Sequence, residues 1–491
     1  MSFFKSISLR PEVIDYLKGV YLNNELLASV GPQKAQRHFE TLLSCLSHPP
    51  SYTCVRASVH LAPLGEIQHK LYEELTKRGE GPDAVMHPGI PDVLLLPVDG
   101  PRCVQQLSKE VVVGAQCGNA VLRGAHVFTP GMLACPKNMK AGDAVSVFSD
   151  LEGKCTRGAL SFQGRKVFVG NGVAEKDRAS IFCSGDPTRG VGVRMTEPLY
   201  ATPSFDGLLP QLVFLQNLPS VVVGHVLGPR PGERILDMCA APGGKTCHIA
   251  ALMGDQGEVV ALERIPNKME LIRQNAEMLQ LRCIKAFCFN STRAASEHSA
   301  KDAEEPPFHP ESFDRVLLDA PCSGLGQRPN MASTWSLKEI CSFPPLQRKL
   351  FHAAVQLLKR GGVLVYSTCT VTLAENEEQV AWALRTFPCL RLQPQEPHVG
   401  AEGMAGAGLA PEQLRLLQRF RPELNWQQAD EGAPLTCRAN SDTIGFFIAK
   451  FQKSDSSEDV TCKDDQSPLD ADMNSLEISC VTNKVPVELL H

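Results

Sequence analysis

Hydrophobic and polar positions follow three different patterns along the chain, and each pattern predicts its own structural unit. In the first part, apolar residues recur at helical spacing from Val13 to Val20 and from Phe39 to Leu46. These runs predict two helices, the second of which must stop at Pro49 and Pro50. One strand is predicted at residues 53–61 and another at residues 92–98, with a helix between them at residues 67–75. Together these elements predict an N-terminal α/β module over residues 1–108.

Residues 109–203 show a second pattern, in which short β-rich runs are broken by glycine. Several strands at this spacing favour a small β-barrel. The segment contains twelve Lys and Arg against eight acidic residues, which makes it a candidate RNA contact. On charge alone, an ordinary solvated surface is an equally good interpretation.

From residue 204 to residue 453 strands alternate with helical stretches, which is typical of a doubly wound, Rossmann-like α/β sheet. The helices include residues 271–279 and 346–359. Five candidate strands precede a closing strand, and they lie at residues 233–238, 257–263, 284–290, 313–319, 362–369 and 445–451. The overall fold class is therefore α/β, with a β-barrel inserted after the N-terminal module.

Composition narrows the class of protein. A chain of 491 residues is long enough for roughly three domains. No apolar run approaches the ~20 residues that a membrane helix needs, and charges near the N-terminus interrupt any signal-peptide core. The 18 cysteines are scattered without a CxxC pair, which argues against a disulfide scaffold or zinc ribbon. We therefore expect a cytoplasmic protein with no membrane partner and no metal site.

The net charge of −5 is unevenly distributed. Residues 454–491 carry nine acidic residues and two lysines, so residues 1–453 are slightly basic. Because this tail lacks aromatic residues and is rich in Ser, Asp and Glu, it is expected to be a disordered acidic extension.

The first motif with chemical meaning is ILDMCAAPGGKT, from Ile235 to Thr246. An apolar strand ends in small residues, Gly243 and Gly244 let a ligand approach the backbone, and a helix follows whose first N–H groups are free. The next strand ends in Glu263, near the spacing at which nucleotide-binding folds place a ribose-binding carboxylate. Since the loop lacks both GxGxxG and the P-loop spacing, S-adenosylmethionine is favoured over NAD and ATP.

Two further motifs end neighbouring strands. LLDAPCSG places Asp319 and Cys322 on one loop, and VLVYSTCT places Cys369 at the end of the next strand. Open α/β sheets bind ligands at this edge, so these residues are expected to converge. A thiolate, an acid and a second thiol are what methylation of cytosine carbon 5 needs. The thiolate adds to carbon 6, the acid serves ring nitrogen 3, and a base later removes the carbon 5 proton.

The three motifs resemble the Sun-type (NSUN) family of RNA cytosine-carbon-5 methyltransferases from about Leu215 to Phe451. The resemblance implies that Cys369 is the nucleophile and that Cys322 assists release, with Asp319 and Lys245 completing the catalytic set. DNA cytosine methyltransferases use the cysteine that follows proline as the nucleophile, so the reverse assignment of the two thiols stays open.

The resemblance also implies a site for S-adenosylmethionine. Glu263 stands where the family usually has Asp, and Asn290 also replaces an Asp, which leaves a hydrogen-bond acceptor without charge. The implied cofactor residues are Cys239, Ala240, Ala241, Pro242, Gly243, Gly244, Lys245, Glu263, Asn290 and Asp319.

The segment GNAVLRGAHVFTPGM, from Gly118 to Met132, resembles a PUA domain, an RNA-binding pseudo-barrel. In that family the glycines, here Gly118, Gly124 and Gly131, let the backbone approach an RNA end. A PUA module ahead of the methyltransferase core resembles the PUA-bearing NSUN branch. That resemblance implies tRNA as substrate, methylated at cytosine 72 of the acceptor stem while the PUA module grips the CCA end. No obligate protein partner is indicated.

Two rival functions remain at this stage. The first is a methyltransferase for messenger or ribosomal RNA, and the second is a non-catalytic RNA-binding protein on the same fold. Arg328 and Trp335 follow the Cys322 motif and could either clamp RNA or belong to the core. The run from Glu375 to Glu377 is interpreted as the opening of a helix, where carboxylates favour the helix dipole.

Overall fold

The computed structural model describes residues 6–79, 83–183, 190–424 and 438–454. Strands in these ranges form a four-stranded, a six-stranded and an eight-stranded sheet. Nearly all of the expected acidic tail, residues 455–491, lies outside the described residues. Among the helices in the described ranges, none has both the length and the apolar character needed to cross a membrane.

The N-terminal module contains three helices before its first strand, where the sequence predicted two. Gly31, with φ of 81°, separates the second helix from the third. The first strand ends at Ala57, because the residues predicted to extend it form a turn. The elements are α1 (Pro11–Tyr21), α2 (Asn24–Val30), α3 (Pro32–Cys45), β1 (Tyr52–Ala57), α4 (Leu64–Lys77), β2 (Val85–Met86) and β3 (Val93–Pro97).

Residues 109–203 form the six-stranded sheet, in the order β5-β9-β8-β7-β4-β6. Its edge strands are joined in the chain by the single turn Thr129–Gly131, so the sheet must curl until its two edges come close together. The elements are β4 (Glu110–Val113), α5 (Ala115–Val121), β5 (Val127–Phe128), β6 (Met132–Ala134), β7 (Ala144–Asp150), β8 (Lys166–Ala174), α6 (Arg178–Phe182) and β9 (Val191–Pro198). The β-rich interpretation is wrong for α5, whose small residues pack as a helix against the strands.

The chain then returns to the first module before it enters the third. Strand β10 (Val213–Leu215) pairs antiparallel with β1, and Val55 lies opposite Leu215. The four-stranded sheet, in the order β10-β1-β3-β2, is therefore built from residues on both sides of the 109–203 segment. That segment is an insertion into a sheet that closes behind it.

The eight-stranded sheet carries the doubly wound pattern that the sequence predicted. Five parallel strands run in the order β13-β12-β11-β14-β15, and β18 joins them antiparallel with β16 and β17 beside it. The first elements are α7 (Leu218–Leu227), β11 (Arg234–Asp237), α8 (Gly244–Leu252), β12 (Glu258–Glu263), α9 (Pro266–Met278), β13 (Ile284–Cys288) and β14 (Phe313–Asp319). The remaining elements are α10 (Leu337–Cys341), α11 (Phe343–Leu357), β15 (Leu358–Thr368), α12 (Glu377–Thr386), β16 (Leu390–Leu392), α13 (Pro411–Leu414), β17 (Gln418–Phe420) and β18 (Phe446–Lys453).

Successive strand residues point to opposite faces of this sheet, and both faces are buried by other elements. Ile235 and Leu317 pack with α7 and α8 on one face, together with the N-terminal sheet. Leu236 and Leu318 pack with α11 and α12 on the other face. Since side chains are covered on both sides, the chemistry of this domain is confined to the ends of its strands.

A buried carboxylate joins the N-terminal module to the helices that cover the eight-stranded sheet. Asp92 accepts hydrogen bonds from Nε2 of His225 on α7 and from Nε2 of His248 on α8, each at 2.7 Å. Burial works to raise the pKa of Asp92, but the two imidazoles hold it well below its usual range. Burial lowers the pKa of His248 to about 4, so its ring is a neutral donor near pH 7. One ring nitrogen of each histidine and one carboxylate oxygen of Asp92 lie within 4.8 Å of one another. The two hydrogen bonds connect the three side chains directly.

Asp92→Asn should destabilise the protein by about 2 kcal/mol, because the amide keeps the shape but loses one of two hydrogen bonds to a charged acceptor. The measurement is the free energy of unfolding in denaturant. Asp83→Asn, an exposed substitution in the same module, is the control and should be nearly neutral. Equal stability of the two variants would contradict the assigned role of Asp92.

Candidate active site

The predicted site residues converge at one edge of the eight-stranded sheet, where its parallel strands end. Strands β11 and β14 are neighbours although their helices lie on opposite faces, which creates the crevice in which open α/β sheets bind ligands. Residues 239–245 follow β11, Glu263 ends β12, Asp319 ends β14, and Cys369 directly follows β15. The register that pairs Asp319 with Ser367 brings the last two strand ends level.

The two motif cysteines are in contact. Cys322 Sγ and Cys369 Sγ lie 3.4 Å apart, and both residues are partly buried. The hydrogen bond to Cys369, reinforced by burial, raises the pKa of Cys322 well above its usual value. The same hydrogen bond lowers the pKa of Cys369 against the effect of burial, and Gln327 and Lys245 lower it further. The contact therefore favours ionisation of Cys369 over ionisation of Cys322.

Asp319, the last residue of β14, links the start of α8 to the end of β15. Its Oδ2 accepts from Nζ of Lys245 at 2.8 Å, and its Oδ1 accepts from the hydroxyl of Ser367 at 2.7 Å. Burial works to lower the pKa of Lys245, but the Asp319 carboxylate outweighs it and leaves that pKa raised. The ammonium is thus held charged between the β11 loop and the two cysteines.

The loop after β11 is shaped by the buried carboxylate of Asp237, the last residue of that strand. Asp237 is 1% exposed and accepts hydrogen bonds from the Thr246 hydroxyl at 2.8 Å and the Cys239 backbone N–H at 3.4 Å. Burial raises the pKa of Asp237 to about 7. Gly243 has φ of 104°, a left-handed conformation that favours glycine, and α8 begins at Gly244. Ala240, Ala241 and Pro242 complete this small-residue loop.

Glu263 and Asn290 end the next two strands along the sheet. Glu263 Oε1 accepts from the Ile265 N–H at 2.9 Å, which fixes the carboxylate at the strand end. Asn290 Oδ1 accepts from the backbone N–H and the hydroxyl of Thr292, at 3.2 and 2.9 Å. The turn of Asn290 is tied to the β11 loop, because Ser291 donates to the Met238 carbonyl at 2.5 Å. The amide oxygen of Asn290 already has two donors, which reduces its capacity to accept a third.

The N-terminal module supports the loop after β11 from behind. Arg56 on β1 is 4% exposed, and its Nη1 donates to the Gly244 carbonyl at 2.8 Å. Its guanidinium lies over the ring of Phe214 on β10, 5.2 Å from the centroid. A lone arginine inside a predicted strand carries no sequence signal for this contact, because the partner is 188 residues away.

The run from Glu375 to Glu377 does open a helix, since Asn376 is the N-cap of α12 and Glu377 is its first residue. Glu375 itself has a further role that the sequence analysis missed. Helix α12 begins two residues later, and Glu375 is fully buried. Its carboxylate accepts from the backbone N–H of Ser323 at 2.8 Å and from the Ser323 hydroxyl at 2.7 Å, while Thr372 donates at 2.9 Å. It therefore holds the residue next to Cys322. The sequence signal that could have indicated this role is an acidic residue in the threonine-rich segment just after Cys369.

Arg328 and Trp335 do not belong to the site. Arg328 is 2% exposed and donates to the Asp442 carboxylate at 2.7 Å and to the Cys45 carbonyl at 2.9 Å. Trp335 packs edge-on against Phe343 and joins the helical cluster of the N-terminal module. The RNA-clamp interpretation is wrong for Arg328, whose guanidinium anchors the Cys322 loop to the first module.

The glycines of the PUA-like motif are also explained by internal packing. A Cβ at Gly118 would lie 2.4 Å from the Ser149 hydroxyl, and one at Gly131 would lie 2.6 Å from the Cys117 sulfur. At Gly124, with φ of 93°, it would lie 2.1 Å from the Thr202 hydroxyl. The protein's own atoms fill the space at all three, so the expectation that they make room for RNA is not needed to explain them.

Comparison with known proteins identifies relatives of almost the whole chain. The family described as 16S rRNA methyltransferase RsmB/F matches residues 224–452. The chain is 59% identical to tRNA (cytosine(72)-C(5))-methyltransferase NSUN6 of Homo sapiens, over 92% of this chain and 99% of that protein. It is 32% identical to rRNA (cytosine-C(5))-methyltransferase NOP2C of Arabidopsis thaliana, over 90% of each. The crystal structure of NSun6 from Pyrococcus horikoshii with SFG superposes with a TM-score of 0.69 at 28% identity, covering 92% and 100% of the two chains.

Glu375→Gln should lower the pKa of Cys322, because it removes a nearby negative charge that helps to raise it. We expect the pH midpoint for alkylation of Cys322 by iodoacetamide, followed by mass spectrometry, to fall by roughly 1 unit. Glu378→Gln, three residues further along and exposed, is the control and should leave the midpoint in place. An unchanged midpoint in Glu375→Gln would show that Glu375 does not act on the thiol pair.

Proposed function

This chain belongs to the RsmB/F family of RNA methyltransferases, and we propose that it uses S-adenosylmethionine to methylate carbon 5 of cytosine 72 in tRNA. The observation that carries the proposal is the contact between Cys322 and Cys369 beside the Asp319–Lys245 ion pair. The 59% identity to a tRNA (cytosine(72)-C(5))-methyltransferase over nearly the whole chain supports the substrate.

Cys369 begins the reaction as the nucleophile. Its thiolate adds to carbon 6 of the cytosine, and the displaced electron pair makes carbon 5 nucleophilic. Assignment of this role to Cys369 is supported by its lowered pKa, whereas the pKa of Cys322 is raised. The reverse assignment would start from the thiol that holds its proton more tightly.

Asp319 and Lys245 handle the charge that addition creates on the ring. Nitrogen 3 gains electron density, and a proton held between it and the Asp319 carboxylate offsets that density. Lys245 and Ser367 fix the orientation of the carboxylate through hydrogen bonds of 2.8 and 2.7 Å. Asp319 therefore meets the base in one geometry.

Cys322 completes the reaction by release. Once Cys369 is bonded to carbon 6, it is no longer a thiolate. The hydrogen bond to Cys369 and its negative charge, which both raise the pKa of Cys322, are then lost. Cys322 can then give its proton to solvent and, as a thiolate, accept the proton on carbon 5. The electron pair of that C–H bond re-forms the 5,6 double bond and expels the Cys369 thiolate.

The residues around the β11 loop fit the cofactor. S-Adenosylmethionine supplies an electrophilic methyl group when it is bound. We propose that the Glu263 carboxylate holds the ribose hydroxyls, since it ends strand β12 and one of its oxygens is fixed by the Ile265 N–H. The stretch from Cys239 to Lys245 would cradle the methionine part, and Asn290 would lie at the adenine.

The inserted segment would bring the RNA end to this site. We propose that residues 109–203 form a PUA module that grips the CCA terminus. Asn119 on α5 accepts from the Met331 N–H at 3.0 Å, and Met331 packs into the core of the inserted segment. The module thus sits on the loop that starts with Cys322, which suits a target base close to the 3′ end and easily flipped from the end of a stem.

The domain limits are part of the proposal. They are 1–108 for the N-terminal module, 109–203 for the PUA module, 204–453 for the methyltransferase domain and 454–491 for the acidic tail. Pairing of β10 with β1 means that residues 213–215 complete the first sheet although they precede the methyltransferase strands.

Ribosomal RNA is the second candidate substrate, and one observation favours it. The Arabidopsis thaliana relative named as an rRNA methyltransferase aligns with 90% of this chain, so a protein that is similar over nearly the whole length has a different named substrate. The higher identity to the human tRNA enzyme favours tRNA.

Single-cysteine variants test the mechanism. Cys369→Ala should lose RNA methylation by on the order of 1,000-fold and form no protein–RNA adduct, because nothing can add to carbon 6. Cys322→Ala should accumulate the covalent adduct on a denaturing gel, because release lacks its base. Cys341→Ala, an exposed cysteine outside the site, is the control. Adduct formation by Cys369→Ala would reverse the roles of the two thiols.

Removal of the CCA end tests the substrate. A tRNA truncated before CCA should show a kcat/KM lower by at least about tenfold, since binding through the PUA module would be lost. The comparison is made with the intact tRNA at two salt concentrations, while the KM for S-adenosylmethionine serves as the internal control and should not change. Equal kcat/KM for both tRNAs would favour the ribosomal RNA alternative.

A further inference from the structure

A cavity lies at the opposite end of strands β14 and β15 from the two cysteines. It measures about 600 Å³ and is lined by the first residues of β14 and β15 and the last residues of β18. Arg315 lies at this end of β14 and Asp319 at the other, so the two regions are roughly 13 Å apart along one strand. The cavity is therefore separate from the active site.

Positive charge dominates the lining of this cavity. Five basic and two acidic side chains surround it. Each acidic side chain is already matched: Glu233 accepts from Arg315 at 2.6 and 3.0 Å, and Asp314 accepts from Lys359 at 2.7 Å. Arg230, Arg360 and Lys450 supply the excess.

Lys450 shows that the excess charge has a cost. It projects from β18, inside the sheet, and burial together with the neighbouring Arg315 lowers its pKa. The Glu396 carboxylate opposes this shift without reversing it, and among the residues that the structure describes no carboxylate forms an ion pair with the Lys450 ammonium. Arg360 has only a long contact of 3.4 Å to Glu311 at the exposed rim. A cluster of cations that repel one another is stabilised when an anion binds among them.

We propose that this cavity binds a phosphate-bearing anion. The shared requirement is a group with several negative oxygens, since three cations remain after the two carboxylates are matched. The volume is in the range of small-ligand sites. Gln393 and Gln452 add amide donors, and no aromatic side chain lines the cavity to stack a nucleobase. The phosphate groups, rather than a base, are therefore what the cavity recognises.

Two sources can supply this chemistry: a free polyphosphate, or a phosphate of an RNA substrate that reaches this end of the sheet. Both would bind through the same three cations, so one set of variants tests the site and a second measurement separates the sources.

The test is titration of the full-length protein with inorganic tripolyphosphate by isothermal calorimetry at low salt. Arg230→Gln/Arg360→Gln should weaken binding by at least about tenfold, because two exposed charges are removed. Arg230→Lys/Arg360→Lys keeps the charge and should bind within about threefold of the wild type. Lys349→Met, an exposed lysine on α11 outside the cavity, should bind as the wild type does.

Binding of a CCA-ended tRNA over a salt series separates the two sources. If the Gln variant binds tRNA more weakly and with a shallower salt dependence, the anion is an RNA phosphate. If tRNA binding is unchanged, the anion is a free polyphosphate. The proposal is overturned if the wild type shows no saturable binding of tripolyphosphate, if the Gln and Lys variants bind alike, or if Lys349→Met weakens binding equally.

Discussion

The carboxylate of Asp319 accepts hydrogen bonds from residues of both strands that flank its own, and the active site depends on this arrangement. Lys245 reaches it from the first turn of α8, and Ser367 reaches it from the end of strand β15. Because the three strands end at the same edge, one carboxylate ties the start of α8 and the end of β15 to the end of β14. Its removal would leave a buried ammonium facing two thiols without its partner.

The two thiols work as a pair because they sit in different surroundings. Cys369 has hydrogen-bond donors and a cation on its side, whereas Cys322 has the buried Glu375 on its side. The same contact therefore separates their acidities in opposite directions. In the mechanism that we propose, one sulfur attacks, and the other becomes a base only after the first has formed its bond.

The N-terminal module holds the active site from behind. Arg56 binds the carbonyl at the start of α8, Asp92 binds His248 further along the same helix, and Arg328 fastens the Cys322 loop to the end of α3. Each contact uses a buried charge, which is costly to leave without its partner. The first module is therefore a structural part of the catalytic domain, and the chain encloses the inserted segment by returning to it through β10.

The sequence by itself determined the α/β class, the doubly wound domain and the catalytic candidates, because these depend on local patterns. Apolar runs, small-residue loops and residues placed directly after strands can be read from neighbouring positions. The strand-end rule then predicted that Asp319, Cys322 and Cys369 would meet. The contacts of Arg56, Asp92, Arg328 and Glu375, the helical state of α5 and the direction of the two thiol pKa shifts were decided only by the tertiary structure. Each of them depends on partners or burial that the local pattern does not contain, with the partner of Arg56 lying 188 residues away in the chain.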